Sequence, residues 1–238
     1  MQAFGGRIEQ SSLKDKVLAI LRKNLITGDL VEGQLYSAAS IAAELGVSTS
    51  PVREALLTLV DQGVMEAVRN RGYRVLPLGE QDLQEIYQMR ALLEIPSMVG
   101  LSGHAEVLAR EAEFRGLADD IVGAVASGDV VAYLEADLVF HLSLLRILGN
   151  HRLTSTVKSL RDQTRQLRLT TQLGTDELVR TAQSHLHIVD ALVAGDSERV
   201  RQLMIEHLEH IRTDWGSDVL DAAAGMSAAV STPHGSYQ

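Results

Sequence analysis

Residues 46–56 read GVSTSPVREAL, and this stretch decides how the first third of the chain is read. Ser50 is a good helix N-cap, with a hydroxyl placed to accept from free backbone N–H groups. Pro51 then suits the first helical position, where its missing N–H had no partner in any case. Arg53 is the discordant residue. The first turn of a helix already carries partial positive charge, which an added cation opposes. Free N–H groups and a cation at one helix start fit a place where an anion is received.

Working outward, SSLKDKVLAILRKNLITGD (11–29) sets Leu13, Val17, Ile20, Leu21 and Leu25 at helical spacing between a serine cap and Gly28. SAASIAAELG (37–46) predicts a short second helix, also stopped by glycine. SPVREALLTLVDQG (50–63) predicts a third, with Val52, Leu56, Leu59 and Val60 facing inward. VMEAVRNRGYRVLPL (64–78) then changes to short valine-rich segments around a basic turn, a two-stranded hairpin. Three helices and a hairpin make a winged helix-turn-helix pattern.

Pro77 and Gly79 mark a boundary. Beyond it the spacing predicts helices over 80–101, 106–127, 129–148, 151–172, 175–194 and 196–214, broken at glycine-containing turns. The expected organisation is therefore a winged helix-turn-helix DNA-binding domain (1–78) and an all-helical metal- and effector-binding and dimerisation domain (79–215). A flexible tail, small-residue rich, follows at 216–238. The fold class is mainly α, a winged helix-turn-helix plus an antiparallel six-helix bundle.

Composition agrees with two domains facing different partners. The 238 residues carry a formal charge of −9, 45% hydrophobic residues and no cysteine, which excludes disulfides and thiolate metal sites. Residues 1–78 hold nine Lys/Arg against eight Asp/Glu, and the remainder thirteen against twenty-three. No apolar run reaches membrane-spanning length and the N-terminus lacks a signal pattern, so a cytoplasmic protein with no membrane partner is expected.

As a set, LITGDLVEGQL…IAAELGVSTSPVREALLTLVDQGVMEAVRNRGYRV resembles the N-terminal winged helix of GntR-family transcription regulators. The helical remainder is similar to the FCD domain of the FadR-like branch, and a count of six helices suggests the VanR-type subgroup. The resemblance spans roughly residues 11–214. It departs at Ala39 and Thr49, where members of this branch commonly carry arginines that contact DNA. An operator sequence therefore does not carry over by analogy.

On the DNA reading, the helix at 50–63 enters the major groove. Ser48, Thr49 and Ser50 offer hydroxyls, and Arg53 suits bidentate pairing with guanine. Arg69 and Arg71 flank the wing, and Gly72 permits close backbone approach and a minor-groove contact. The alternative for each arginine is a solvated surface residue.

Helical phase separates the eight histidines. Asp137 and His141 stand at i, i+4 among Leu134, Leu138, Leu144, Leu145 and Leu148. His185 shares a face with Leu178, Ala182, Val189 and Leu192; His207 lies with Val200, Leu203, Met204 and Ile211. His187 and His210 fall on more polar sides. One carboxylate with three imidazoles suits a divalent transition metal, zinc ahead of nickel, manganese or iron, with positions left open. The competing reading is a set of separate core histidines. The resemblance favours the metal, since many FCD domains carry this Asp/His set.

The resemblance further implies a small organic acid effector on that metal, with Arg90 as a carboxylate clamp. An exposed intrahelical pair with Glu94 competes for Arg90. Arg161, Arg165 and Arg168 form a basic stripe, read as solvated with one member able to reach the pocket. Asn150 is expected to cap a helix. The function expected is a homodimeric regulator binding an inverted-repeat operator in double-stranded DNA under effector control. The rivals are a metal-dependent enzyme and a metal-only sensor.

Overall fold

In the computed structural model residues 12–77, 79–164 and 176–210 are described. The chain divides into two compact units, Met1–Pro77 and Leu78–Gln238.

The first unit runs α1 (Leu13–Thr27), β1 (Leu35–Tyr36), α2 (Ala38–Leu45), α3 (Thr49–Asp61), β2 (Met65–Val68) and β3 (Gly72–Val75). Ser12 and Asp15 close a capping box at the start of α1, each accepting from the other's backbone N–H. Val17, Leu21 and Leu25 of α1 meet Val52, Leu56 and Leu59 of α3 in a core closed by Met65 and Val75. Leu13 and Ile20, expected inside, are 48% and 40% exposed. At 100° per residue they lie about 100° round the axis from the middle of the Val17–Leu18–Leu21–Leu25 face.

α3 starts earlier than the proline suggested. Its N-cap is Ser48 rather than Ser50, and no side chain caps it. Pro51 is thus the third helical residue, still within the turn whose N–H groups have no helical partner. The sheet also holds a strand the hairpin reading did not include: the order is β1-β3-β2, all antiparallel, with Tyr36 opposite Tyr73 and Val68 opposite Gly72.

Gly72 has φ +122, and a Cβ there would stand 2.3 Å from the Tyr36 carbonyl oxygen. The close approach is to β1, whose backbone it admits. Gly72→Ala is expected to destabilise this unit by about 1–3 kcal/mol, the cost of a side chain forced into such backbone. A lowered urea midpoint would register it, and an unchanged midpoint would contradict this account of the glycine.

The second unit runs α4 (Glu80–Val99), α5 (Ala105–Ala109), α6 (Glu111–Ser127), α7 (Val130–Ile147), α8 (His151–Thr164), α9 (Asp176–Ala194) and α10 (Ser197–His210). The helix expected over 106–127 is in two pieces. Arg110 sits between them at φ −113, ψ 20, its guanidinium paired with Glu106 and Glu113 and lying over the Phe114 ring. The described residues therefore contain seven helices here where six were expected, because the 106–127 helix is divided at Arg110. α7 is central: every residue from Phe140 to Leu145 is buried. Asn150 caps α8, accepting from Leu153 N–H at 3.1 Å. Arg165, Arg168 and the 216–238 tail lie outside the described residues, as do the ends predicted at 172 and 214.

Candidate metal centre and nucleic-acid interface

Three helices of the second unit bring four expected ligands together. Asp137 and His141 come from α7, His185 from α9 and His207 from α10. Their donor atoms lie within 4.8 Å of one another. His141 Nε2 is 3.1 Å from His207 Nε2, and Asp137 Oδ1 is 3.2 Å from His185 Nε2 and 3.6 Å from His141 Nε2. Around a metal at about 2.0–2.1 Å, neighbouring ligand atoms stand about 3.0–3.4 Å apart, so these spacings fit one cation. The three histidines are at most 1% exposed, and Phe140 packs edge-on against His141 and His185.

The surroundings set the tautomers. His185 Nδ1 lies 3.1 Å from the Ala182 carbonyl, which only accepts, so the ring proton sits on Nδ1. The Ser184 hydroxyl donates to Thr181 O and leaves its lone pairs for His207 Nδ1, 3.2 Å away. Both rings therefore turn an Nε2 lone pair to the centre, beside a carboxylate oxygen. Acceptors facing acceptors in a buried site are unfavourable unless a cation lies between them. The donor set fits a divalent metal.

Burial pushes His141 down to about 4, aided by the nearby Arg161, and holds His207 well below its ordinary value. Burial alone would raise Asp137, but the Arg161 guanidinium beside it outweighs that, so its carboxyl stays well below the usual range. All three are thus in the form a metal takes.

Arg161 corrects the sequence reading. It is 2% exposed, not part of a solvated stripe. Its Nη1 donates to Asp137 Oδ2 at 2.8 Å, while Nε, at 3.0 Å, and Nη2 donate to Glu94 Oε2. Glu94, 1% exposed, also accepts from Arg90 Nε at 2.7 Å. Arg90 does pair with Glu94, but buried, at 2% exposure, not on an open face. Burial would raise Glu94; Arg161 and Arg90 bring it down to about 2. Glu94 Oε2 is 3.9 Å from His141 Nδ1, and His141 Nδ1 and Arg90 Nη2 have no hydrogen-bond partner among the described residues. Glu94 as a site residue escaped the sequence reading. His187 is exposed, as its phase suggested.

In the first unit, Thr49, Arg53, Arg69, Arg71 and Gly72 line one open concavity of about 620 Å³ with Ala39. Ser48, Thr49, Ser50, Arg53, Arg69 and Arg71 are all exposed. The Ser50 hydroxyl donates to Glu54 Oε1 at 3.1 Å. The wing turns at Asn70, whose φ of 58 is tolerated by asparagine better than by most residues. The start of α3 and the wing thus present uncapped N–H groups and three arginines on one open face.

Among known proteins, the model of bacterial regulatory proteins, gntR family, matches residues 13–75, and that of the FCD domain matches residues 85–210. A probable D-xylose utilization operon transcriptional repressor of Paenarthrobacter nicotinovorans is 30% identical over 217 residues, covering 87% of this chain and 91% of the relative. A putative GntR regulator from Rhodococcus sp. RHA1 superposes with TM-score 0.62 at 28% identity, over 92% of this chain and 99% of that one. Escherichia coli McbR/YncC superposes with TM-score 0.72 at 23% identity, over 87% of this chain and all of that one, and shares the fold. Among the described residues no helix is long and apolar enough to cross a membrane.

Proposed function

The chain belongs to the gntR family of bacterial regulatory proteins, in the branch with an FCD domain, and we propose that it couples a divalent metal and a small carboxylate effector to operator binding. It is a DNA-binding transcription regulator and not an enzyme, as the matched families and relatives are. Asp137, His141, His185 and His207 hold the metal in this reading, and Arg90 lies in reach of the acid. The observation that carries it is the pair of fixed Nε2 lone pairs turned on one carboxylate oxygen. A bound divalent cation supplies coordination positions for an acid's oxygens. α4, α7, α8, α9 and α10 all contribute to the Asp/His cluster or the ion pairs around it. An occupant of the site therefore biases how they pack, and operator affinity follows.

Ser48, Thr49, Arg53, Arg69 and Arg71 meet the DNA in this reading, with Ser50 and Gly72 shaping the surface that does so. A homodimer on an inverted repeat matches two such heads to two half-sites. Arg53→Ala is expected to weaken binding to an operator selected from random duplexes by about 10–100-fold, the loss of one bidentate base contact. Unchanged affinity and selectivity would remove Arg53 from the interface.

Native mass spectrometry of the purified protein, followed by operator titrations with and without organic acids, tests the sensor. Protein that retains no metal, or operator affinity indifferent to every acid, would sink it. Affinity that follows metal alone would make the protein a metal sensor.

A further inference from the structure

The concavity of about 620 Å³ in the first unit has two sides of different chemistry. Among the described residues no carboxylate lines it, which suits a polyanion. The wing side carries the cations Arg69 and Arg71. On the helical side the exposed lining residues are Ser37, Ala39, Thr49 and Arg53. Ser37 is taken up by the fold, since its hydroxyl caps α2 and accepts from Ser40 N–H at 2.9 Å. Of the other three, Arg53 alone offers a fork of donors, which guanine O6 and N7 match. Ala39 ends in a bare methyl, and Thr49 in a methyl and a hydroxyl.

Thr49 and Arg53 stand at i, i+4 on α3 and so are neighbours on one face. Ala39 comes from the first turn of α2 and lines the same concavity. A methyl group carries no hydrogen-bonding information. The feature of a base edge that it can recognise in the major groove is the C5-methyl of thymine. Two methyl-bearing side chains beside a guanidinium thus make a mixed reader, with donors for one base and an apolar slot for the next.

We propose that Thr49 and Ala39 enclose the C5-methyl of a thymine adjacent to the guanine paired by Arg53, making that thymine a fixed base of the operator half-site. This rests on the reading above that the start of α3 meets base edges. It assigns Thr49 a role through its methyl rather than its hydroxyl, and it gives Ala39 a part in base selection.

Removing one methyl from the DNA tests it. In an operator selected from random duplexes, each thymine is replaced in turn by deoxyuridine, which keeps the pairing and loses only the methyl. One thymine next to a guanine is expected to show a loss of affinity of about fourfold, the scale of one buried methyl-sized group. Thr49→Ser and Ala39→Gly are each expected to bring that loss below about twofold, and Thr49→Val, which keeps the methyl, to retain it. Each loss is a ratio of affinities on one protein, so a change in stability cancels. Uracil tolerated at every thymine, a loss that survives Thr49→Ser or Ala39→Gly, or one that vanishes in Thr49→Val would overturn the proposal. If Arg53→Ala still weakens binding in that event, only this inference falls. If Arg53→Ala changes neither affinity nor selectivity, the placement of α3 on base edges falls with it.

Discussion

Replacing Arg161 with methionine is expected to cost metal-free protein about 3–5 kcal/mol of unfolding free energy, the range for removing one partner of a buried ion pair. Methionine keeps much of the volume and none of the donors. Asp137 Oδ2 would lose the Nη1 donor at 2.8 Å, and Glu94 Oε2 would lose Nε at 3.0 Å. Glu94 would keep Arg90 at 2.7 Å, but Asp137 would retain no guanidinium among its described partners. The uncompensated carboxylate at Asp137 then dominates the loss. Adding zinc is expected to recover part of it, because a divalent charge beside Oδ1 replaces the one withdrawn from Oδ2. Urea unfolding with and without zinc measures both effects. A loss below about 1 kcal/mol, the scale of an exposed pair, would contradict the burial argument. A deficit equal in the two conditions would contradict the link between Arg161 and the cluster.

Arg161 also shows where the sequence was legible and where it was not. Asp137 and His141 at i, i+4, with His185 and His207 in phase with leucines and valines, identified the cluster because apolar neighbours fix which way those positions point. Arg161 lacked such neighbours on the charged side, and Arg165 and Arg168 suggested an exposed stripe. The counter-signal was one turn back. Leu153, Val157 and Arg161 recur every four residues, Val157 is fully buried, and Arg161 continues that row inward. Glu94 carried no comparable mark. A buried carboxylate is tolerated only by its partners, and one of these lies 67 residues away.

The fold's misreadings have the same origin. β1 is two residues long and exists by pairing with β3, so no local periodicity announces it. The break at Arg110 falls within an unbroken helical pattern and is held by ion pairs on both sides. At α3, Ser48 and Ser50 are both good caps, and proline suits any position of the first turn. Local chemistry identified the longer elements and left β1, the break at Arg110 and the helix ends to tertiary contacts.

Stripping metal from the protein is expected to cost stability on the scale of the Arg161 substitution. A ligand that binds only the folded chain adds RT ln(1 + [L]/Kd), about 4 kcal/mol at a thousandfold excess over Kd. Melting temperature should therefore fall when a chelator is added and rise logarithmically with free metal. The cluster should also make its members unequal in the stripped protein. His141 Nε2 and His207 Nε2 stand 3.1 Å apart, and His185 Nε2 meets a carboxylate at 3.2 Å, with its ring proton held on Nδ1 by Ala182. In the metal-free state His185→Gln gives that carboxylate an amide donor where it had met a lone pair. The variant is expected to lose most of the metal response yet keep, or slightly gain, metal-free stability. A histidine that served only as packing would show the reverse: lower stability without metal and an unchanged response to it. The two outcomes have opposite signs in one pair of melting curves, so a single variant separates a ligand from a core residue.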